Sequence, residues 1–435
     1  MRDVLMDVLE EHLGEASFLW NQRERGLVAS NLTLVDVAEI EARLLAHVDG
    51  LIVAGVPAVE KLLIPALEEM EAEQVAAAAY TLLNVQEPSG TDLVRTALEA
   101  TSSEVLPALY RALELRGSEA LPSWLPTLLK QEDPTRLALS LELHATHGVD
   151  PGPTLPELLR HKEPRVAAAA LRVAARIHHP LDRHLFQSYL NSTEPKLRDA
   201  AIEAGLLGGH RSAWAACQSA VESRAPDLRF PALLLALGGE ARDEEQLRQL
   251  LHEPRHRPDT LWALGFSGRR SAAEACLEWM EDPTVSHLAL EAFCAITGLP
   301  LEERFVVQPS EEDSLPPLEE DDLTADLTHK PEDDLPRPAT TAVLAWWKDE
   351  QPRFEMERRY LYGKPFGLES LYESLLTAPM RRRHVPALDL ALRSRGELTV
   401  PTRALTSHQR QALEKLRTAS PSLFRTPFTS GLRKS

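Results

Sequence analysis

Residues 161–177, HKEPRVAAAALRVAARI, set Val166, Ala169, Ala170, Val173, Ala174 and Ile177 at helical spacing on one face, with Arg165, Arg172 and Arg176 on the other. Such a stripe predicts an amphipathic helix. The same skeleton returns along the chain. Asp133-Pro134, Glu163-Pro164, Glu194-Pro195, Glu253-Pro254 and Asp282-Pro283 each introduce an Ala/Leu-rich run, and Ala225-Pro226 holds the remaining place without an acid. Successive prolines lie 30, 31, 31, 28 and 29 residues apart. Proline at the first helical position gives up no hydrogen bond and presets φ. The acid before it can cap the helix or face the positive end of its dipole. The register extends backwards without proline to EVLPALYRALELRG and EAEQVAAAAYTLLN, and Gly117, Gly148, Gly208, Gly238 and Gly298 close many of the runs as helix stops.

A second short helix is expected within each period, at LPSWLPTLLKQ, TLPELLRH, LDRHLFQSYLNS, RSAWAACQSAVES, EEQLRQLLHE and SAAEACLEWME. Two helices in about thirty residues, repeated in order, predict an all-α chain: an α-solenoid of about eight helical hairpins. Four segments follow. Residues 1–54 form a helical N-terminal cap, with Thr33 capping the helix of TLVDVAEIEARLLAHVDGL; residues 55–300 hold the repeats. Residues 301–338 are an acidic, Pro-rich arm, whose stretch 309–338 has eleven acids, two bases and six prolines. Like-charge repulsion and proline predict an extended segment there, with docking onto a basic face as the sharper alternative. Residues 339–435 form a helical C-terminal cap in which the balance reverses, with seventeen Lys/Arg against nine acids and an aromatic cluster that includes Trp346 and Trp347. Those aromatics are expected to build its core.

Composition narrows the function classes. A chain of 435 residues exceeds what one core serves, which suits a repeat array. Aromatics are 5% while Ala and Leu abound, a balance that favours close helix–helix packing. The net charge of −19 opposes nucleic acid and anionic lipid unless a local basic face overrides it. Cys217, Cys276 and Cys294 form no C-x-x-C pair, which argues against a disulfide framework or zinc knuckle. No run reaches the length of a membrane span, and the N-terminus lacks a signal-peptide core. A cytoplasmic protein is the expectation.

The pattern EPRVAAAALRVAARI…LFQSYLNSTEPKLRDAAIEAGLLG resembles HEAT repeats of the short, PBS-lyase-like kind, over roughly residues 60–300. EASFLWNQR, ARLLAHVDGLIVAG, LEAFCAITGLPLEE and VLAWWKDEQPRF…RYLYGKP are in turn similar to an uncharacterised proteobacterial HEAT-repeat family. Several members of that family lie in gene neighbourhoods of type VI secretion systems. The resemblance implies an accessory, adaptor or immunity-like role there, with a secretion-system component or effector as partner.

Catalytic chemistry is not evident. His144/His147 and His178/His179/His184 have pairwise ligand spacing but lack a carboxylate or thiolate at a matching interval. GFSGRR has the wrong glycine spacing for a nucleophile elbow. No phosphate-cradling G-x-x-x-x-G-K occurs. No cofactor and no metal are expected. The expectation is a non-enzymatic protein-binding scaffold with Arg165, Arg172, Arg176 and the basic knot Arg381, Arg382 and Arg383 as partner contacts, arginine being over-represented at interface hot spots. Two alternatives stay open: an enzyme, metal-dependent or lyase-like, on the same scaffold, and nucleic-acid binding through a local basic face.

Overall fold

Three acid-proline pairs start helices as their chemistry requires: Pro134–His147, Pro164–Arg176 and Pro195–Leu207 each have proline in the first turn. Asp133 caps, its carboxylate accepting from the Arg136 N–H at 2.8 Å. Glu163 and Glu194, one methylene longer, make no such bond and leave only the charge–dipole attraction. The later prolines behave differently. Pro226, Pro254 and Pro283 lie three residues ahead of helices Arg229–Gly238, Arg257–Leu264 and Ser286–Thr297. There the proline opens a turn first; the Glu253 carbonyl, for example, accepts from the N–H groups of His256 and Arg257 before the regular helix begins.

The structure, a computed structural model, describes residues 5–85, 89–101, 104–117, 120–307, 329–424 and 427–433. It is mostly helical. Most of the acidic arm, residues 308–328, lies outside the described residues. Among the described residues no single helix is long and apolar enough to cross a membrane. The chain forms two units: Met1–Val28, Leu32–Ala213 and Arg395–Lys415 in the first, and Ala29–Asn31, Trp214–Ser394 and Leu416–Ser435 in the second. Within residues 339–435, the stretches 339–394 and 416–435 belong to the second unit and 395–415, whose partners are on helices far earlier in sequence, to the first.

In the first unit, helices Met6–Gly26 and Leu34–Ala54 pack on each other and on Ala72–Asn84. Thr33 stands at the start of the second of these helices, where both its N–H and its hydroxyl donate to Asp36 at 2.7 Å. From there Ala72–Asn84, Leu106–Glu114, Pro134–His147, Pro164–Arg176 and Pro195–Leu207 each touch the next in line. The Pro164–Arg176 helix shows why alanine dominates. Val166, Ala169, Ala170, Val173 and Ala174 are buried as the stripe predicts, and Ala167, Ala168 and Leu171 are buried as well. A helix with a neighbour on each flank has little room for larger side chains.

The period also appears in the hydrogen bonds. Arg165 donates to the Thr135 hydroxyl at 2.8 Å, the Tyr110 hydroxyl pairs with Ser140 at 2.7 Å, and Arg172 bonds Glu142, each across 30 residues. The second unit has the same rungs. Arg269 donates to the Gly239 carbonyl at 3.0 Å and Arg229 reaches Asp259 at 3.4 Å, again 30 residues apart.

In the second unit, Arg229–Gly238, Arg257–Leu264 and Ser286–Thr297 succeed one another. Phe293 is fully buried, with Trp346 and Trp347 edge-on to it at 6.0 and 5.3 Å between ring centroids. The aromatic segment thus supplies core, though it packs on the Ser286–Thr297 helix rather than only on itself. It also contains a hairpin the helical pattern does not predict: strand Tyr360–Leu361 pairs antiparallel with Lys364–Pro365. Its two-residue turn, Tyr362-Gly363, has φ of 49° and 75°, both left-handed, as a tight primed hairpin turn needs. The hairpin docks by backbone: Tyr360 N–H donates to Gly268 O at 2.7 Å, and Tyr362 N–H donates to Ala295 O at 2.7 Å. At Gly268 a Cβ would stand 2.3 Å from the Tyr360 carbonyl oxygen, so only glycine admits this approach.

Candidate protein-binding surface

The arginines singled out by the sequence fall into two groups. Arg165 and Arg172 are rungs between successive helices, and Arg176 donates to the Thr399 hydroxyl at 3.3 Å. Arg172 bonds Glu142 on the preceding helix and also acts on Glu203 of the following one, whose carboxyl is pushed up by burial and pulled back by that guanidinium. One cation between two acids is not a basic track. Arg381, Arg382 and Arg383 are not the exposed partner contacts that the sequence suggests. They are buried, at 6%, 2% and 0% exposure, inside the second unit. Arg381 and Arg382 pair with Glu291 at 3.1 and 3.4 Å, and Arg383 donates to the Leu375 carbonyl at 2.6 Å. Their helix, Met380–Arg393, has packed neighbours on the side where the sequence suggests solvent. They present no outward basic knot.

The histidines and cysteines are also interior or local features. His144 is buried and its Nδ1 lies 2.7 Å from the Ser140 carbonyl oxygen. Among the described residues no three His, Cys, Asp or Glu side chains converge as metal ligands would. Cys217, Cys276 and Cys294 are buried, and burial pushes the thiols of Cys276 and Cys294 up to about 12, far from a reactive thiolate at neutral pH.

One concave surface in the first unit is built from five separate stretches. Helix Met6–Gly26 supplies Trp20 and Glu24, Ala72–Asn84 supplies Glu73, and Leu106–Glu114 supplies Pro107, Tyr110 and Arg111. Glu104 and Arg403 complete a groove of about 400 Å³. Its walls, Trp20 and Tyr110, are buried, while Glu104 and Pro107 are exposed on the rim.

Glu24 organises one end. The Arg111 Nε lies 3.1 Å from both of its carboxylate oxygens, and Arg23 Nη1 lies 2.5 Å away. Burial pushes the Glu24 carboxyl up, but Arg111 and Arg23 outweigh this and hold it below the ordinary 4.5. A carboxylate whose folded pKa is depressed stabilises fully above its unfolded value and loses that contribution as pH falls through the folded one. The first unit is therefore expected to lose stability as pH drops below 4.5. Glu24→Gln should flatten that part of the acid profile, read as amide exchange in the Met6–Gly26 helix. Superimposable profiles would contradict the assignment.

The chain's own segment 395–406 runs along this unit past the C-terminal ends of several helices. Arg403 O accepts from Arg111 at 2.7 Å, His178 Nε2 lies 3.1 Å from Arg395 O, and Thr406 N–H donates to Glu41 at 2.6 Å. Sequence reasoning missed the groove because its residues are scattered from Trp20 to Arg403, and no local motif links them. It also missed the strap, whose only local signal is the extended ELTVP between two helices. No protein-family model matches the chain, and no curated protein matches it.

Proposed function

We propose that the protein is a non-enzymatic protein-binding scaffold or adaptor. Its helical hairpins succeed one another as an α-solenoid of the HEAT-like kind, and the groove around Trp20 takes a basic segment of a protein partner. The groove carries this proposal: rigid aromatic walls with Glu73 and Glu104 beside them suit a side chain that is both long and cationic. The net charge of −19 adds long-range attraction for such a partner. A groove built before the partner arrives also lowers the ordering cost of association. The resemblance to a family near type VI secretion loci names the first partners to try, the products of neighbouring genes.

The test is calorimetric titration of the purified chain with each such product at moderate salt. Glu73→Lys combined with Glu104→Lys is expected to weaken a true partner by about tenfold or more, since like charge replaces complementary charge. Arg165→Ala, which touches a rung and not the groove, should leave affinity nearly unchanged. Undiminished binding by the double variant, or the absence of any binding product, overturns the proposal.

A further inference from the structure

Within the second unit a cavity of about 230 Å³ lies beside the Ser286–Thr297 helix. Leu290, Ala295, Leu299, Leu335 and Pro336 make most of its wall apolar. One end is polar in an unusual way. Arg382, 2% exposed, lines it, yet none of its three guanidinium nitrogens makes a hydrogen bond of good geometry; the buried hydroxyl of Tyr362 lies close enough to interact with that guanidinium but makes no well-aligned bond either. A guanidinium has five N–H groups to satisfy, and burial without acceptors is costly. Its faces are occupied, with the Phe266 ring 4.0 Å and the Trp262 ring 4.8 Å from the guanidinium carbon. Its charge is incompletely met. Glu291, 3.4 Å away, is shared with Arg381 at 3.1 Å, and Arg381 reaches Glu332 only at 3.4 Å. Glu291 itself lines this end, so one carboxylate there serves two guanidiniums, and the Arg382 N–H groups still lack an acceptor at bonding geometry.

We propose that this cavity binds a small amphipathic monocarboxylate, its carboxylate bonded by Arg382 and the Tyr362 hydroxyl and its hydrocarbon body against Leu290, Ala295 and Leu299. A carboxylate matches the planar fork of a guanidinium, and a phenol adds a donor on the same side. His287, also on the wall, is held below the usual histidine range by burial first, despite Glu332 and Asp333, so it adds no second positive charge at neutral pH. One anionic group, not two, is therefore the fit. The volume sets the size at a chain of several carbons or a single ring, below the range of drug-sized pockets. The site uses no residue of the groove proposed above, so either can fail alone.

The probe is octanoate, titrated into the full-length protein by calorimetry, with 1-octanol and octylammonium as controls. Saturable one-to-one binding of octanoate is expected, at least about tenfold tighter than 1-octanol, with octylammonium not binding. Tyr362→Phe, which preserves the ring, should weaken octanoate and leave octanol unchanged. Leu301→Trp guards against misfolding as an explanation: Leu301 is 53% exposed on the cavity's edge, so a larger side chain there blocks access without touching the core. It should abolish binding while thermal unfolding stays as in the parent chain. Absence of saturable octanoate binding, equal affinity for octanoate and octanol, or full binding by Leu301→Trp overturns the proposal.

Discussion

Replacing Glu41 by alanine should cost the first unit about 3–5 kcal/mol, the range found when one member of a buried ion pair is removed. Glu41 is 3% exposed and Arg23 is 0% exposed. One carboxylate oxygen accepts from Arg23 Nε at 2.8 Å, and the other accepts from the Thr406 N–H and hydroxyl, both at 2.6 Å. The remaining Arg23 donors go to Glu24 and to the carbonyls of Arg403 and Ala404. Alanine would thus leave the buried Arg23 with Glu24 as its remaining carboxylate, its Nε–H without an acceptor, and two donors of the 395–406 segment unmet at once. Native-state amide exchange in the Leu34–Ala54 helix is the measurement, because it reports this unit alone. Exchange should quicken by roughly two to four powers of ten. Glu41→Gln, which keeps an acceptor and loses the charge, should fall between. A change smaller than tenfold for alanine would show that the pair is replaceable.

Arg359 plays the corresponding part in the second unit. Its guanidinium donates to three carbonyls, Ser267 at 2.7 Å, Leu237 at 2.8 Å and Phe266 at 3.0 Å, and packs 4.1 Å from the Phe366 ring. All three carbonyls stand at or just past the C-terminal ends of helices Arg229–Gly238 and Arg257–Leu264. Helix ends leave such groups without internal partners, and their dipoles favour a cation. Arg359→Met should cost about 3 kcal/mol or more, given roughly 1 kcal/mol for each lost bond and a further penalty for stranded acceptors. Arg359→Lys should rescue little, since one ammonium cannot reproduce the planar fork. The readout is denaturant unfolding with exchange protection in Arg257–Leu264; near-parental stability of the Lys variant would show that charge alone suffices.

How far the sequence carries can be judged from particular residues. The stripe from Val166 to Ala174 was readable because it depends on helical periodicity, and the Thr33 and Asp133 starts because capping is local chemistry. The burial of Arg381, Arg382 and Arg383 was not readable. Their acceptors and ring partners, Glu291, Leu375, Trp262 and Phe266, come mostly from segments about ninety to one hundred and twenty residues away, and charge content alone predicts solvent. The hairpin at Tyr360 left one usable trace, a Tyr-Gly pair whose glycine suits a left-handed turn. The Trp20 groove left none, because its residues meet only after the helices have paired.

The thirty-residue hydrogen bonds have a bearing on how such a chain can change length. Thr135 with Arg165 and Glu142 with Arg172 tie a helix to its successor at one fixed offset. An insertion or excision of a whole period would hand each donor an acceptor site of equivalent placement on a new neighbour. One of half a period would turn every downstream stripe toward water. A change of chain length by complete periods is therefore expected to preserve packing, while a partial one is expected to disrupt folding.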